Sequence, residues 1–149
     1  MRLNDECEAL LLNNALQLRA RLYASLSPMR QMKTSEWATQ NLFLSKEEGP
    51  EPGLYSYRDL PWQAEVMDAL DDIEAESLVI KAASQVGKTT ISKAIMGRTI
   101  DLDPCPILVV QSTQDAAKEY STTRLKPMFR DCPVFKNKLT ADDTYLKTF

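Results

Sequence analysis

The stretch that decides the fold is Ser77-Leu78-Val79-Ile80-Lys81-Ala82-Ala83-Ser84-Gln85-Val86-Gly87-Lys88-Thr89-Thr90. Its opening is a short apolar run bounded by polar residues, which reads as a buried strand. Its end opens a helix predicted from Thr89 to about Ile100. Between them lies the spacing of a phosphate-binding loop, in which a glycine is followed after four residues by Gly-Lys-Ser/Thr. Here Ala82 replaces the first glycine, and Gly87-Lys88-Thr89 is intact. Gly87 lets the backbone turn tightly, so that consecutive N–H groups face phosphate oxygens. The positive end of the following helix dipole favours the anion. Lys88 supplies an ammonium for the β- and γ-phosphates, and the Thr89 hydroxyl is the expected Mg²⁺ ligand. Ala82 costs little where the chain is still extended. A bare Gly-Lys-Thr also occurs as a surface turn with a solvated lysine; the strand before it and the helix after it favour the phosphate loop.

Working outward, Pro61 suits the first turn of a helix that continues through Trp62-Gln63-Ala64-Glu65-Val66-Met67-Asp68-Ala69-Leu70. An acidic turn, Asp71 to Glu76, separates it from the strand. After the loop helix, Asp101-Leu102-Asp103-Pro104 is a break, and Pro106-Ile107-Leu108-Val109-Val110 is a second buried-strand candidate. Thr113 can cap a helix from Gln114 to Lys126. Two continuously apolar strands alternating with helices predict an α/β fold with a parallel sheet. Ahead of it the chain reads as helical. Leu11, Ala15, Leu18 and Leu22 mark an amphipathic helix from about Asn4 to Ser25, and Pro28 ends it. Thr34-Ser35-Glu36-Trp37 begins a second helix, with Trp37 and Phe43 as core anchors. The segment from Ser45 to Gly53 is a connector rich in Pro, Gly and charge.

The composition narrows the chemistry. The chain has 149 residues, 44% of them hydrophobic, and no histidine. Without histidine it cannot build a Ser-His-Asp triad, a Cys-His dyad or a His-bound zinc from its own residues. Cys7, Cys105 and Cys132 are scattered without Cys-x-x-Cys spacing, which points to ordinary thiols in a reducing compartment. The start carries acids where a signal peptide needs an apolar run, and no apolar run approaches the ~20 residues of a membrane span. Residues 1–80 hold seven basic against fourteen acidic side chains, and residues 81–149 hold eleven against seven. The basic half suits a phosphate-bearing partner, although such charges can equally mix on one folded surface.

Several segments, taken together and in order, make the chain similar to the N-terminal part of the large terminase subunit of tailed bacteriophages, of the lambda-type (GpA-like) family. They are Thr34-Ser35-Glu36-Trp37-Ala38, then Pro52-Gly53-Leu54-Tyr55, then Leu60-Pro61-Trp62-Gln63-Ala64-Glu65-Val66-Met67-Asp68-Ala69-Leu70. Gln85-Val86-Gly87-Lys88-Thr89 follows, then Ile107 to Ala117, Ser121 and Arg124-Leu125-Lys126-Pro127-Met128. The resemblance implies a P-loop NTPase core of the RecA/ASCE kind, incomplete here, spanning 46–149 behind a helical segment at 1–45 that docks the small terminase subunit. It implies an ATPase motor that drives double-stranded DNA through the capsid portal, as an oligomeric ring, in the host cytoplasm and away from membranes. It implies ATP and Mg²⁺ as cofactors, bound by Ser84, Gln85, Val86, Gly87, Lys88, Thr89 and Thr90, with Lys88 catalytic. Gln63 matches the glutamine that reads the adenine edge, and Trp62 its aromatic neighbour beside the base. Ser84 stands where many members place an arginine acting on the γ-phosphate, so that charge is expected from Lys81 or a neighbouring subunit.

Other readings of single residues stay open. Trp62 and Gln63 can be a core aromatic and a capping amide. Arg124 and Lys126 can be a solvated face in place of a DNA contact. An apolar strand ending in Asp-Glu, which would hold Mg²⁺ and activate water, is not found; Leu139-Thr140-Ala141 before Asp142-Asp143 is too short and polar. The chain is therefore expected to be part of a longer protein and to hydrolyse ATP slowly or not at all. The alternatives are a non-catalytic interaction fragment of a terminase and a fragment of a superfamily-two helicase.

Overall fold

The computed structural model describes residues 14–19, 32–46, 52–72, 74–136 and 138–148. Residues 14–19 are helical (α1) and exposed, and belong to a first unit, Met1–Arg30. The rest of the helix predicted from Asn4 to Ser25, and Cys7, lie outside the described residues. The second unit, Gln31–Phe149, holds everything else. Its order is α2 (Thr34–Asn41), β1 (Phe43–Leu44), β2 (Gly53–Leu54), α3 (Trp62–Asp68) with a 3₁₀ turn Ala69–Asp71, and α4 (Lys88–Leu102). Then come α5 (Gln114–Tyr120), a π-helical turn Ser121–Leu125, α6 (Lys126–Asp131), a 3₁₀ turn Pro133–Phe135, β3 (Ala141–Asp142) and β4 (Lys147–Thr148).

The core forms where α2, α3, α4 and α6 meet. Trp37, Leu42, Met67, Ile91, Ala94, Met128, Cys132 and Phe135 are buried there. Trp37 is fully enclosed, and its indole N–H donates to Asp101 at 2.8 Å. Phe135 packs 6.1 Å from the Trp37 ring and edge-on to Phe129 at 5.3 Å, an arrangement that suits aromatic quadrupoles. Trp37 is thus the core anchor expected of it; Phe43 is half-buried and packs against the same cluster. Cys105 is exposed and Cys132 is buried, where its sulfur accepts from the Phe43 N–H at 3.2 Å.

The start of α2 is tied down from a distance. A helix N-terminus leaves its first N–H groups without partners inside the helix and attracts negative charge. Asp71 accepts from the Thr34 N–H and hydroxyl, both at 2.7 Å, and pairs with Arg98 at 3.4 Å. Asp68 accepts from the Ser35 N–H at 2.8 Å and hydroxyl at 2.9 Å. Asp71, which read as part of a turn, and Asp68, which read as helical, therefore both cap a neighbouring helix. Asp71→Ala should cost about 2 kcal/mol, because it strips charge-assisted bonds from three partly buried groups at once. Urea denaturation checks this; an unchanged midpoint would show that water replaces the carboxylate.

The segment after Cys105 departs most from expectation. Neither 77–80 nor 106–110 pairs with another strand among the described residues, so the parallel sheet is not seen. The strands that are present form two antiparallel pairs, with Phe43 opposite Leu54 and Ala141 opposite Thr148. Exposure still alternates along the second run: Ile107 41%, Leu108 87%, Val109 38% and Val110 77%. That is the two-residue period of a strand with one covered face. Burial of such runs needs ladder partners and material on both faces, and the described residues supply one face only. The expectation of two buried strands is corrected accordingly.

The helix after Thr113 is continuous to Asp131 but contains a π turn. The Thr113 hydroxyl caps it, accepting from the Ala116 N–H at 3.1 Å. Within the turn, the Lys126 N–H reaches back five residues to the Ser121 carbonyl. Pro127 explains this, because its ring lacks an N–H and crowds the carbonyl four residues earlier.

Candidate phosphate-loop site

The site begins with the β1–β2 hairpin. Leu44 pairs with Gly53, and the Tyr55 N–H donates to the Leu42 carbonyl at 2.8 Å. This brings Tyr55, which is buried, beside α3. There its hydroxyl donates to Gln63 Oε1 at 2.6 Å. Gln63 Nε2 in turn donates to the Val86 carbonyl at 2.9 Å, which links α3 to the loop.

The loop leads into α4. Gln85 adopts φ +60° and Gly87 φ +83°, two left-handed turns within three residues. For Gln85 that conformation is uncommon and costs energy; for Gly87 it does not. Gly87 precedes the first helical residue and supplies no side-chain cap, and the first turn of α4 carries no acidic residue. The first N–H groups of α4 thus have neither a side-chain cap nor an acid from their own first turn. Lys88 Nζ curls back over the loop and donates to the carbonyls of Ala82, at 3.1 Å, and Ala83. Thr89 is exposed and Thr90 half-buried. An open groove of about 530 Å³ runs beside Lys88, Thr89 and Ser92 to Val109, Val110 and Gln111.

The structure therefore brings together Gln63, Val86, Gly87 and Lys88. Ser84 and Gln85 are exposed at the turn, and Lys81 is exposed just before it. Trp62 is 37% exposed, and no hydrogen bond joins it to the loop among the described residues. Tyr55 had no role from sequence: it is far from the loop along the chain, and only the hairpin register places it. Of the basic residues weighed for DNA, Arg124 is half-buried, and Lys126 pairs with Asp142 at 3.5 Å. Hydrogen bonding to Lys147, and then the charges of Lys147 and Lys126, hold the Asp142 carboxyl below the usual range. No cluster of metal-ligating side chains occurs among the described residues. No helix among them is long and apolar enough to cross a membrane.

Comparisons with known proteins find relatives of the chain. The model of the phage terminase large subunit gpA family, ATPase domain, matches residues 49–147. The large terminase subunit of Enterobacteria phage P21 is 24% identical over 102 residues, which cover 68% of this chain and 16% of that protein. The match thus takes in about a sixth of the length of that curated relative. No solved structure matches significantly. With the family model spanning the loop, the helix that follows it and the C-terminal hairpin, the chain belongs to the phage terminase large subunit gpA family, within its ATPase domain.

Proposed function

We propose that this chain binds ATP with Mg²⁺ at the loop 84–90 and is the nucleotide-binding portion of a motor that packages double-stranded DNA into a phage capsid. The observation that carries the reading is the start of α4, where Lys88 Nζ lies over the loop and the first-turn N–H groups have no side-chain cap and no acid in their turn. That donor set is complementary to a polyphosphate and to little else in a protein of this composition. Lys88 and the N–H groups of the first turn would hold the phosphates, and the Thr89 hydroxyl would meet Mg²⁺, which neutralises charge during phosphoryl transfer. Trp62, exposed next to the buried Gln63, would pack on a base. Lys81 or a neighbouring subunit would supply the positive charge that Ser84 does not.

The finer architecture follows the same reading. The unpaired backbone of 77–80 and 106–110 would take strands of a parallel P-loop sheet, and the exposed Val79, Leu108 and Val110 would lie under the helices that cover its face. Within the whole protein the expected partners are DNA, the capsid portal and the small terminase subunit, the last through helical surface in 1–45, in an oligomeric ring in the host cytoplasm. Any DNA contact here rests on phosphate electrostatics and falls steeply with salt.

Isothermal titration of ATP·Mg into the chain and its Lys88→Ala variant tests the reading. The variant should bind roughly tenfold to a hundredfold more weakly, since it loses charge-assisted bonds to phosphate. Equal heats from both proteins would sink the nucleotide assignment.

A further inference from the structure

Gln63 is only 3% exposed, and both ends of its amide are engaged inside the chain. Oε1 accepts from the Tyr55 hydroxyl, and Nε2 donates to the Val86 carbonyl. The two partners fix the amide's orientation. Turned over, it would set Oε1 against the Val86 carbonyl oxygen, two acceptors face to face. Burial, and then the neighbouring Tyr57, push the Tyr55 phenol up to about 12, so Tyr55 stays a donor across the physiological range. Gly87 follows Val86 at φ +83°, and a Cβ there would lie 2.3 Å from Gln63 Nε2. The amide and the glycine turn therefore fill one space between them.

We propose that Gln63, oriented by Tyr55, is a positioning residue for the phosphate loop. It holds the Val86 carbonyl and with it the left-handed turn that aims the N–H groups of Lys88, Thr89 and Thr90 at a polyphosphate. The inference rests on the nucleotide reading above and changes the part Gln63 plays in it. A glutamine that reads adenine commits a donor and an acceptor to the base edge. Here one N–H and one lone pair hold the loop and the hairpin, and burial to 3% exposure closes off the second N–H and the second lone pair, so the contribution of Gln63 falls on the phosphates and is blind to the base.

Isothermal titration of the full 149-residue chain with ATP·Mg, GTP·Mg and inorganic tripolyphosphate·Mg separates the two roles. Tyr55→Phe and Gln63→Ala should each weaken all three ligands by the same factor, roughly three- to tenfold. The double variant should lose little more than the weaker-binding single one, because both act on one run of bonds. A loss confined to ATP, or tripolyphosphate binding that does not follow ATP, overturns the proposal and leaves the nucleotide reading standing. A wild-type chain that binds none of the three overturns both. Hydrogen exchange supplies a readout that needs no ligand. Amides of 86–90 should exchange faster in each variant by a larger factor than core amides, whose acceleration follows the loss of global stability. Acceleration spread evenly over the core would make the relay a general stability element and overturn its positioning role.

Discussion

Gly97→Ala should destabilise the chain by about 1–3 kcal/mol or more, the cost of overpacking a closed core. The direction is the sharp part of this expectation. At an open helical position the same change is worth up to about 1 kcal/mol in favour of alanine, through backbone entropy. Gly97 lies inside α4 and faces the Trp37 ring, and a Cβ built on it would come within 2.3 Å of one ring carbon and 2.6 Å of the next. The ring cannot retreat cheaply. Trp37 is 0% exposed, Phe135 packs against it with the rings tilted by 46°, and its indole N–H is bonded to Asp101. Moving it would break that bond and reopen the contact between α2 and α4. Urea and thermal denaturation measure the effect. A variant as stable as the parent, or more so, would show that α2 and α4 approach less closely than described.

Gly87→Ala should reduce ATP·Mg affinity by at least about tenfold, the equivalent of ~1.4 kcal/mol. Two costs coincide at this position. A side chain at φ +83° pays on the order of 1–2 kcal/mol for the left-handed conformation. The new methyl would also occupy the place of Gln63 Nε2, so either the turn opens or the amide leaves the Val86 carbonyl. Either response disturbs the N–H groups that would receive phosphate. Global stability should change less than for Gly97→Ala, because Gly87 lies half-buried at the start of α4 against one amide, whereas Gly97 faces a fully enclosed ring. Titration against the parent chain measures the loss, and undiminished binding would show that the loop tolerates a different turn.

The contrast between these two glycines shows what sequence alone conveys. Gly87 stands out because Lys88 and Thr89 follow it and a strand-like run precedes it. Gly97 sits in a helical pattern with no local signal, and only the packing of a helix sixty residues upstream gives it meaning. The same holds for the acids. Asp68 and Asp71 belong to one helix and its 3₁₀ extension yet cap another, and spacing along the chain says nothing of partners reached through folding. Local signals worked where the cause is local: Thr113 caps its helix, and the loop helix begins within a residue of its expected start. The two apolar runs failed for a complementary reason. Their composition reports what they would bury but not whether a neighbour is there to bury it, so Val79 and Leu108 are exposed while retaining the alternation of strands. Tyr55 was invisible as a site residue because its role depends on hairpin register.

The run Ile107-Leu108-Val109-Val110 has a consequence for the chain as a substance in solution. It is uncharged, β-branched in three of its four positions and free of ladder bonds among the described residues. Such a segment is a template for adding another chain edge to edge. The net charge of −3 is too small to keep molecules far apart at physiological ionic strength. Colloidal stability therefore depends on whatever covers this run, and where nothing does it becomes the first place where molecules of this chain adhere.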